Sequence, residues 1–241
     1  MRKYFWLLLL PLLLLGLYLT FYPQVNTAVY EHGVTQVISE WETQIEVAER
    51  TESQRPHPEQ DAVLPYPELR AAMEAYNRTI SEEGQRRLTA PAVYEEPALD
   101  LTDYALEENA PAGILSIPSI DLELPIYLGA SKENLALGVA VLGGTSVPIG
   151  GSDTNCVIAG HRGYRGIPYF RYLDRLEAGD TVRLTNFWGE LTYTVKEIAV
   201  IEPDDIDAIL IQEGRDMLTL LTCHPYTVGT QRLVIYCERT S

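Results

Sequence analysis

Cysteine and basic charge are both scarce in this chain. It has three cysteines in 241 residues and no C-x-x-C pair, which excludes a disulfide-dense mini-domain and disfavours a Cys-rich zinc site. Its 18 basic residues stand against 34 acidic ones, a formal net charge of −16. A surface that binds nucleic acid needs a basic stripe to replace counterions. The composition therefore predicts no nucleic-acid partner.

Motifs for a metal or a cofactor are also lacking. The acidic cluster of Asp204, Asp205 and Asp207 has neither the glycine nor the terminal glutamate of an EF-hand loop. We interpret it as a solvated loop, and we predict no metal site and no cofactor.

Charge is absent from one long stretch near the N-terminus. Residues 4–22 are nineteen consecutive uncharged residues, and a bilayer core of about 30 Å needs roughly 20 apolar residues as a helix. Arg2 and Lys3 precede this stretch, so the positive-inside rule predicts that residues 1–3 are cytoplasmic. We expect a single-pass anchor in the cell membrane, with the rest of the chain extracellular.

A cleaved signal peptide is the alternative for this stretch. Its apolar region would be about 7–15 residues long and followed by small residues. The observed run is longer, and residues 23–26 offer no such cleavage pattern. We therefore favour an uncleaved anchor, and we expect one crossing because no second apolar run of spanning length follows.

The region after the anchor divides by charge. Residues 31–110 carry 18 acidic and 6 basic residues, whereas residues 111–241 carry 16 and 10. Apolar residues recur at three-to-four spacing between Val34 and Ile45 and again between Leu69 and Ile80, which predicts two amphipathic helices. We expect residues 25–88 to form a helical extracellular segment, interrupted by a polar break.

Prolines mark both ends of the second predicted helix. The polar break contains Pro56 and Pro58, and Pro67 suits the first turn of the helix that follows. Beyond this helix, residues 89–110 are rich in proline and acid and have no clear period. Long segments of this kind are often lids or linkers.

Short β-strands dominate the chain from Gly113 onward. The candidate segments are rich in Val, Ile, Leu, Thr and Tyr and are bounded by Gly, Pro, Asn and Asp. They are Gly113–Ser119, Leu122–Tyr127, Asn155–His161, Thr181–Thr185, Leu191–Ile201, Met217–Cys223 and Gln231–Glu238. One helix is predicted among them, at Pro168–Leu176. Many short strands with few helices predict a mainly β domain, residues 111–241, closed into a barrel.

Three residues that can carry chemistry lie at strand ends. His161 ends one apolar strand, Cys223 ends another, and Arg232 begins the strand after the next turn. A β-hairpin across that turn would bring Cys223 and Arg232 together. A thiolate is the reactive form of cysteine, histidine can transfer protons, and arginine can donate hydrogen bonds to an oxyanion. Together they are typical of an acyl-transfer site, although each alone is more often structural.

The segments around these residues resemble the motifs of one enzyme family. Thr219-Leu220-Leu221-Thr222-Cys223 resembles the T-L-x-T-C signature of sortases, with an arginine downstream at the expected place. Ala159-Gly160-His161-Arg162-Gly163 resembles the G-H-R strand end that carries the sortase histidine. Further matches, at residues 117–127 and 142–151, extend the resemblance over about residues 111–239. It implies an eight-stranded sortase β-barrel.

The resemblance also implies a reaction and a set of site residues. Sortases are membrane-anchored cysteine transpeptidases that cleave LPxTG-type sorting signals of surface proteins between Thr and Gly. By this resemblance Cys223 would form the thioester, His161 would act as general acid and base, and Arg232 would support the oxyanion. Thr222 and Leu221, beside the nucleophile, would contact the substrate. An amine rather than water would resolve the thioester.

Within the family, the N-terminal half is most similar to class C, the sortases that polymerise pilins through a lysine side chain. These enzymes have helices after the anchor and a lid before the barrel. The lid usually carries an Asp-Pro-aromatic element, where this chain has Ala90-Pro91-Ala92 with Tyr94 as the nearest aromatic residue. Pro91 and Tyr94 are therefore the expected lid residues, with a weaker latch than is usual.

Several alternatives stay open from the sequence. A housekeeping sortase would transfer the protein to a peptidoglycan amine instead of a pilin lysine. A non-catalytic binding module on the same barrel and a cysteine hydrolase are further alternatives. A disulfide between Cys156 and Cys237 is also left open.

Overall fold

The computed structural model describes residues 5–53 and 64–240, and its central feature is a closed barrel of eight β-strands. The predicted mainly β architecture is thereby confirmed. In chain order the strands are β1 (Gly113–Ile117), β2 (Leu122–Leu128), β3 (Val139–Val141), β4 (Thr154–Ala159), β5 (Thr181–Asn186), β6 (Gly189–Ile201), β7 (Asp216–His224) and β8 (Gln231–Arg239). Around the barrel they follow the order β1-β2-β3-β4-β7-β8-β6-β5.

The parallel pair of β4 and β7 determines where the chemistry-bearing residues meet. Their register matches Ala159 with Leu221, and β7 then turns back into antiparallel β8. Because parallel strands run in the same direction, the residues that follow β4 and the last residues of β7 lie at the same end of the barrel. We call this end the thiol end, since it carries Cys223.

A continuous helix of 49 residues, α1 (Phe5–Ser53), joins the uncharged stretch to the first amphipathic stretch. Within the described residues it is the one helix long and apolar enough to cross a membrane. Its C-terminal half lies against the barrel, where Trp41 Nε1 donates a hydrogen bond of 2.9 Å to the Pro111 carbonyl. The Trp41 ring also contacts the ring of Phe187 at 5.5 Å. The helix is therefore docked on the barrel along its apolar stripe.

Helix α2 (Pro67–Glu83) begins at Pro67, as predicted, because the fixed φ of proline suits a first helical turn. Near its other end the buried Asn77 side chain accepts a hydrogen bond of 2.8 Å from the Val147 amide. This bond ties α2 to the turn that precedes β4. The predicted polar break around Pro56 lies outside the described residues.

A short segment after α2, residues 86–97, crosses the outside of the barrel, and we call it the strap. It contains two 3₁₀ turns, Arg86–Thr89 and Pro91–Glu95. A Cβ atom at Gly143 would clash with the carbonyl oxygens of Val93 and Glu96, so the strap is packed directly on the barrel backbone.

The sequence patterns missed two short elements and predicted one helix wrongly. Strand β3 has three residues and helix α3 (Lys132–Leu137) has six, too few for a periodic signal. The predicted helix Pro168–Leu176 is wrong, since it contains only a 3₁₀ turn at Leu173–Arg175. Tyr169 has φ of +42°, which an α-helix excludes. The Phe170 amide instead donates to the His161 carbonyl at 2.9 Å.

Candidate active site

Cys223 is the one exposed thiol among the three cysteines. Cys156 and Cys237 are both buried and all three are free. Burial raises the pKa of Cys237 to about 12. Burial, followed by the charge of Asp216, also raises the pKa of Cys156. Both buried thiols therefore stay protonated and inert at neutral pH. The open question of a Cys156–Cys237 disulfide is answered by the register, in which Leu218 of β7 lies between them.

The alternation of side chains along β7 turns Cys223 outward. Leu221 shares its face, whereas Thr222 points into the barrel and is buried. The Thr222 hydroxyl donates to the Gly160 carbonyl at 2.8 Å. Of the two predicted substrate contacts, Leu221 thus lies on the thiol's face, and Thr222 holds the end of β4 in place.

His161 comes level with Cys223 when the parallel register is continued past β4. The Gly160 amide donates to the Leu221 carbonyl at 3.1 Å, so the pairing extends at least one residue beyond the strand. The half-buried imidazole stacks on Tyr164 with ring centroids 4.8 Å apart, and it meets the edge of Tyr169 at 5.8 Å. Burial lowers the pKa of His161 below its ordinary value. The imidazole is therefore largely neutral at pH 7 and able to accept a proton.

Arg232 lies directly across the hairpin from Cys223, as predicted from the turn between them. Directly opposed side chains of this kind have Cβ atoms about 4.5–5.5 Å apart. Arg232 Nη1 donates to the carbonyls of Gly229, at 3.1 Å, and Gln231, at 3.0 Å. A Cβ atom at Gly229 would lie 3.8 Å from the Cys223 sulfur, so the backbone that holds Arg232 borders the thiol.

Arg162 is a member of the site that sequence reasoning missed. Its side chain is 4% exposed, and its Nη2 donates to a carboxylate oxygen of Asp174 at 2.7 Å. Its Nη1 lies 2.6 Å from His224 Nδ1 and donates to the Cys223 carbonyl at 3.4 Å. Arg162 directly follows the candidate histidine, and its guanidinium therefore links that segment to the backbone of the candidate nucleophile. The G-H-R match contained this arginine, but no sequence pattern marked it as buried.

The strap covers an apolar groove beside the thiol. Leu88 is fully buried there in a cluster with Val157 and Ala159 of β4, and Leu221 and Tyr94 are among the partly buried residues packed against it. The Tyr94 hydroxyl donates to the Leu88 carbonyl at 2.8 Å. The amides of Ala130 and Gly143 donate to the Tyr94 carbonyl, which fixes the strap on the barrel.

The two expected lid residues lie in the same 3₁₀ turn of the strap, Pro91–Glu95. Tyr94 is half-buried in the groove cluster. Pro91 begins the second 3₁₀ turn, beside Tyr94 in the same element. Because Cys223 itself is exposed, the strap fills the groove next to the thiol and leaves the thiol accessible.

The acidic cluster near the thiol end is exposed to solvent. Asp204, Asp205 and Asp207 follow β6, and each is exposed. Across residues 5–53 and 64–240, no group of three or more His, Cys, Asp or Glu side chains is arranged to hold a metal ion.

The barrel is similar in sequence to a known enzyme family. A family model described as the Sortase domain matches residues 115–240, more than half of the chain. The curated protein Sortase D of Bacillus subtilis (strain 168) is 32% identical over 149 residues, which cover 61% of this chain and 72% of the relative.

Solved structures extend the similarity to the N-terminal half. Sortase C from Clostridium perfringens SM101 is 31% identical with a TM-score of 0.62, and the match covers 83% of this chain and 99% of that one. A lid mutant of Streptococcus agalactiae sortase C1 is 33% identical with a TM-score of 0.62, over 71% of this chain and 86% of that one.

Proposed function

This chain belongs to the sortase family of cysteine transpeptidases, and from that premise we propose that it assembles pili. In this proposal Cys223 cleaves LPxTG-type sorting signals between Thr and Gly, and a lysine of another pilin subunit resolves the thioester. The observation that carries the proposal is the exposed Cys223 thiol, level with His161 and paired across the hairpin with Arg232.

Two half-reactions account for every bond and proton. In the first, the Cys223 sulfur bonds to the threonine carbonyl carbon and the bond to the glycine nitrogen breaks. The thiol proton passes through His161 to the departing glycine amine. In the second, the acceptor amine attacks the thioester carbon, gives a proton to His161 and displaces the sulfur, which takes the proton back.

Arg232 supports the negative oxygen that each half-reaction creates. Its guanidinium stays charged at physiological pH and carries five N–H donors. Two backbone carbonyls of the β7–β8 turn occupy donors of this side chain in the substrate-free protein. In the proposed reaction the guanidinium turns a donor from these carbonyls to the oxyanion, which is a charge-assisted hydrogen bond at the point where charge develops.

The pilin acceptor is supported by the elements that precede the barrel. The C-terminal part of α1, helix α2 and the strap lie between the apolar stretch and β1, and two similar solved structures are of proteins named sortase C or C1. The strap occupies the groove that runs from Cys223 along Leu221 and Val157. A sorting signal bound on that face would have to displace the strap, so the strap acts as the lid of this enzyme.

The proposed location follows from helix α1. Residues 4–22 cross the cell membrane once, with residues 1–3 in the cytoplasm and the remaining chain outside. We further propose residues 25–88 as the helical segment, of which 54–63 lie outside the described residues, residues 89–110 as the lid segment and residues 111–241 as the catalytic domain. This arrangement puts the thiol on the same side of the membrane as exported substrates.

Anchoring of surface proteins to peptidoglycan is the second candidate function. It is favoured by the strap sequence Ala90-Pro91-Ala92, which lacks the Asp-Pro-aromatic latch of pilin-type enzymes. In addition, one curated relative is named Sortase D, and that name does not indicate class C. The two functions share the first half-reaction and differ only in the amine that attacks the thioester.

Intact-mass measurement on the full chain in lipid nanodiscs tests the proposal. The protein is incubated with an LPxTG-type peptide, alone, with a lysine-bearing pilin fragment, or with a peptidoglycan-type amine. We expect an adduct of the acyl peptide on Cys223 that the pilin fragment converts into an isopeptide product.

The matched variants are Cys223→Ala and Cys156→Ala. The first should abolish adduct and product, whereas the second should retain both because Cys156 is buried. Adduct on Cys223→Ala would refute the nucleophile assignment. Adduct that reacts only with the peptidoglycan-type amine would establish the anchoring function, and release only to water would establish a hydrolase.

A further inference from the structure

The loop that follows the candidate histidine lies against α1 at the point where the proposed anchor ends. We call residues 161–173 the rim loop. Asn26 Nδ2 donates to the Arg165 carbonyl at 2.7 Å, and the Thr27 hydroxyl donates to the Gly166 carbonyl at 3.2 Å. A Cβ atom at Gly166 would lie 3.7 Å from Pro23 Cα. Two hydrogen bonds and this close approach of Gly166 to Pro23 thus fix the loop to the first residues after the anchor.

These contacts set the height of the rim loop above a bilayer. With the hydrocarbon core ending near Tyr22, Thr27 lies about 8 Å further along the helix at 1.5 Å per residue. The headgroup layer is about 5–8 Å thick on each side of the core. The backbone of Arg165 and Gly166 is therefore held at the level of the lipid headgroups.

Helix α1 then carries the rest of the barrel away from that level. From Thr27 to Trp41 it rises about 21 Å, and Trp41 contacts Pro111 and Phe187 on the barrel. The barrel thus extends outward from the membrane with its thiol end, including the rim loop, toward the bilayer.

The charge of this sector differs from that of the whole chain. Residues 161–173 contain three arginines and no acidic residue, in a chain of net charge −16. Arg162 is buried in its ion pair with Asp174, so Arg165 and Arg171 carry the charge of the rim loop surface. The acidic stretch 202–207 follows β6 at the same end of the barrel and borders residues 223–232, since Gln231 Nε2 donates to a Glu202 carboxylate oxygen at 2.8 Å. The basic residue beside the anchor is therefore Arg165 of the rim loop, whose carbonyl accepts from Asn26, whereas the acidic stretch lies on the far side of the Tyr226–Val228 turn.

The exposed side chains of the sector are of the types that favour a membrane interface. The Arg165 guanidinium lies 5.0 Å from the centre of the exposed Tyr164 ring, and Arg171 lies 4.7 Å from the ring of Tyr226, which is also exposed. Val228 projects from the same turn as Tyr226 and is 68% exposed. Tyrosine and arginine combine an apolar body with a polar end, which suits the headgroup layer.

We propose that the rim loop, together with the Tyr226–Val228 turn, is a second membrane contact that binds anionic phospholipid headgroups and holds the thiol close to the bilayer. The proposal rests on the proposed anchor and goes beyond the transpeptidation reaction. Its consequence is a preference for sorting signals that are themselves held at the membrane, because their scissile bond is presented at the height where Cys223 is held.

Fluorescence quenching in nanodiscs tests the contact directly. A fluorophore is attached at Val228→Cys in the full-length Cys223→Ala chain, whose other two cysteines are buried. Lipids that carry a spin label on the headgroup act as quencher, in phosphatidylglycerol or in phosphatidylcholine. The control label is at Ser152→Cys, an exposed position before β4 and so at the opposite end of that strand from the thiol.

We expect strong quenching at residue 228 in phosphatidylglycerol and little at residue 152. Arg165→Glu should reduce the quenching at residue 228 by about half or more, since each basic residue near an anionic surface changes binding several-fold. Arg165→Lys, which keeps the charge, should restore it. Equal quenching at residues 228 and 152 would overturn the proposal, and so would an unchanged signal in Arg165→Glu.

A turnover measurement with the intact Cys223 protein gives an independent readout. Arg165→Glu should slow cleavage of a sorting signal embedded in the same phosphatidylglycerol nanodisc about fivefold, and leave a soluble LPxTG-type peptide unaffected. Equal slowing of both substrates would overturn the proposal, since it indicates damage to the catalytic site. The quenching arm needs no turnover, so an inactive wild-type protein would refute the proposed function and leave the membrane contact testable.

Discussion

A buried arginine, Arg162, supports the backbone around Cys223 although it takes no part in the proposed reaction. Arg162 pairs with Asp174, whose side chain is half exposed, and also reaches His224 and the Cys223 carbonyl. A buried guanidinium is costly to desolvate unless its donors are used. Here two of its contacts, with His224 and the Cys223 carbonyl, lie on the strand end that presents the thiol, so we regard Arg162 as a positioning residue.

Replacement of Arg162 tests this role. Arg162→Gln should lower the free energy of unfolding by about 1–3 kcal/mol, since it removes the charge-assisted hydrogen bonds of a buried guanidinium. It should also slow alkylation of the Cys223 thiol and change the pH profile of that reaction, because the Cys223 backbone loses its fixed position. Denaturant unfolding and iodoacetamide kinetics measure the two effects.

Asp174→Asn is the matched variant, because it keeps Arg162 in place with its contacts to Cys223 and His224. It should alter stability slightly and leave the alkylation profile unchanged. An Arg162→Gln protein with the wild-type pH profile would show that Arg162 is structural only.

Burial of His161 predicts a pH dependence of stability. Its pKa in the folded protein is below the ordinary value of 6.5, so the unfolded chain binds more protons as the pH falls through 6.5. Stability is therefore lost from about pH 6.5 downward. The variant His161→Gln should lose less thermal stability than wild type between pH 7 and pH 5.

Thermal melting at the two pH values measures this difference. His32 is the matched control, because it lies on the polar part of α1 and is exposed. The wild type and His32→Gln should lose the same thermal stability between pH 7 and pH 5. If His161→Gln lost as much as these two proteins, the assignment of the effect to His161 would be contradicted.

At the scale of elements, the strap covers the groove beside the thiol and leaves the thiol itself accessible to solvent. Leu88 and Tyr94 fill the apolar face beside Leu221, while Cys223 remains exposed. The fit is tight because Gly143 has no side chain where the carbonyls of Val93 and Glu96 approach. A single methyl group added to the barrel at residue 143 should therefore displace the strap, while the sequence of the strap stays unchanged.

Gly143→Ala is expected to loosen the strap and open the groove. Capture of an LPxTG-type peptide should become faster, whereas alkylation of Cys223 by a small reagent should stay unchanged because the thiol is already accessible. Hydrogen exchange across residues 86–97 should increase. Gly33→Ala on α1 is the matched control, since a Cβ atom there meets no neighbour.

Two outcomes would contradict this account of the strap. A Gly143→Ala protein with slower exchange in residues 86–97 would show that the strap tolerates the methyl group. Faster alkylation together with faster capture would show that the strap covers the thiol as well as the groove.

At the scale of the whole molecule, helix α1 connects the proposed anchor to the candidate site. The Tyr30 hydroxyl donates to the Leu137 carbonyl at 3.0 Å, and its ring meets Tyr169 at 5.1 Å. Tyr169 in turn meets the edge of His161. The juxtamembrane turns of α1 therefore help to hold the loop that follows the histidine.

A pair of soluble fragments tests this coupling. A fragment that begins at Glu31 lacks Asn26, Thr27 and Tyr30, whereas one that begins at Gln24 retains all three. We expect faster hydrogen exchange across residues 161–169 in the shorter fragment and slower thioester formation. Equal exchange in the two fragments would show that the rim loop is held by the barrel alone.

The sequence by itself determined the barrel architecture, and it predicted the three candidate chemistry-bearing positions. Strand-forming segments with turn residues between them predict a closed barrel, because alternating apolar residues need a common interior. The turn between Cys223 and Arg232 predicts their pairing, since hairpin register is local. The family motifs predicted His161 as the third member, and the parallel pairing of β4 with β7 brings it level with Cys223.

Only the tertiary structure decided the features that join distant segments. The burial of Arg162, the course of the strap over Gly143 and the docking of Asn26 on the rim loop each bring together residues far apart in the chain. The failed helix at Pro168–Leu176 has the same origin, since the Phe170 amide bonds to the end of β4 and not to its own turn. Local sequence patterns describe the conformational preference of a segment and which of its faces is buried. They do not identify the distant segment against which it packs.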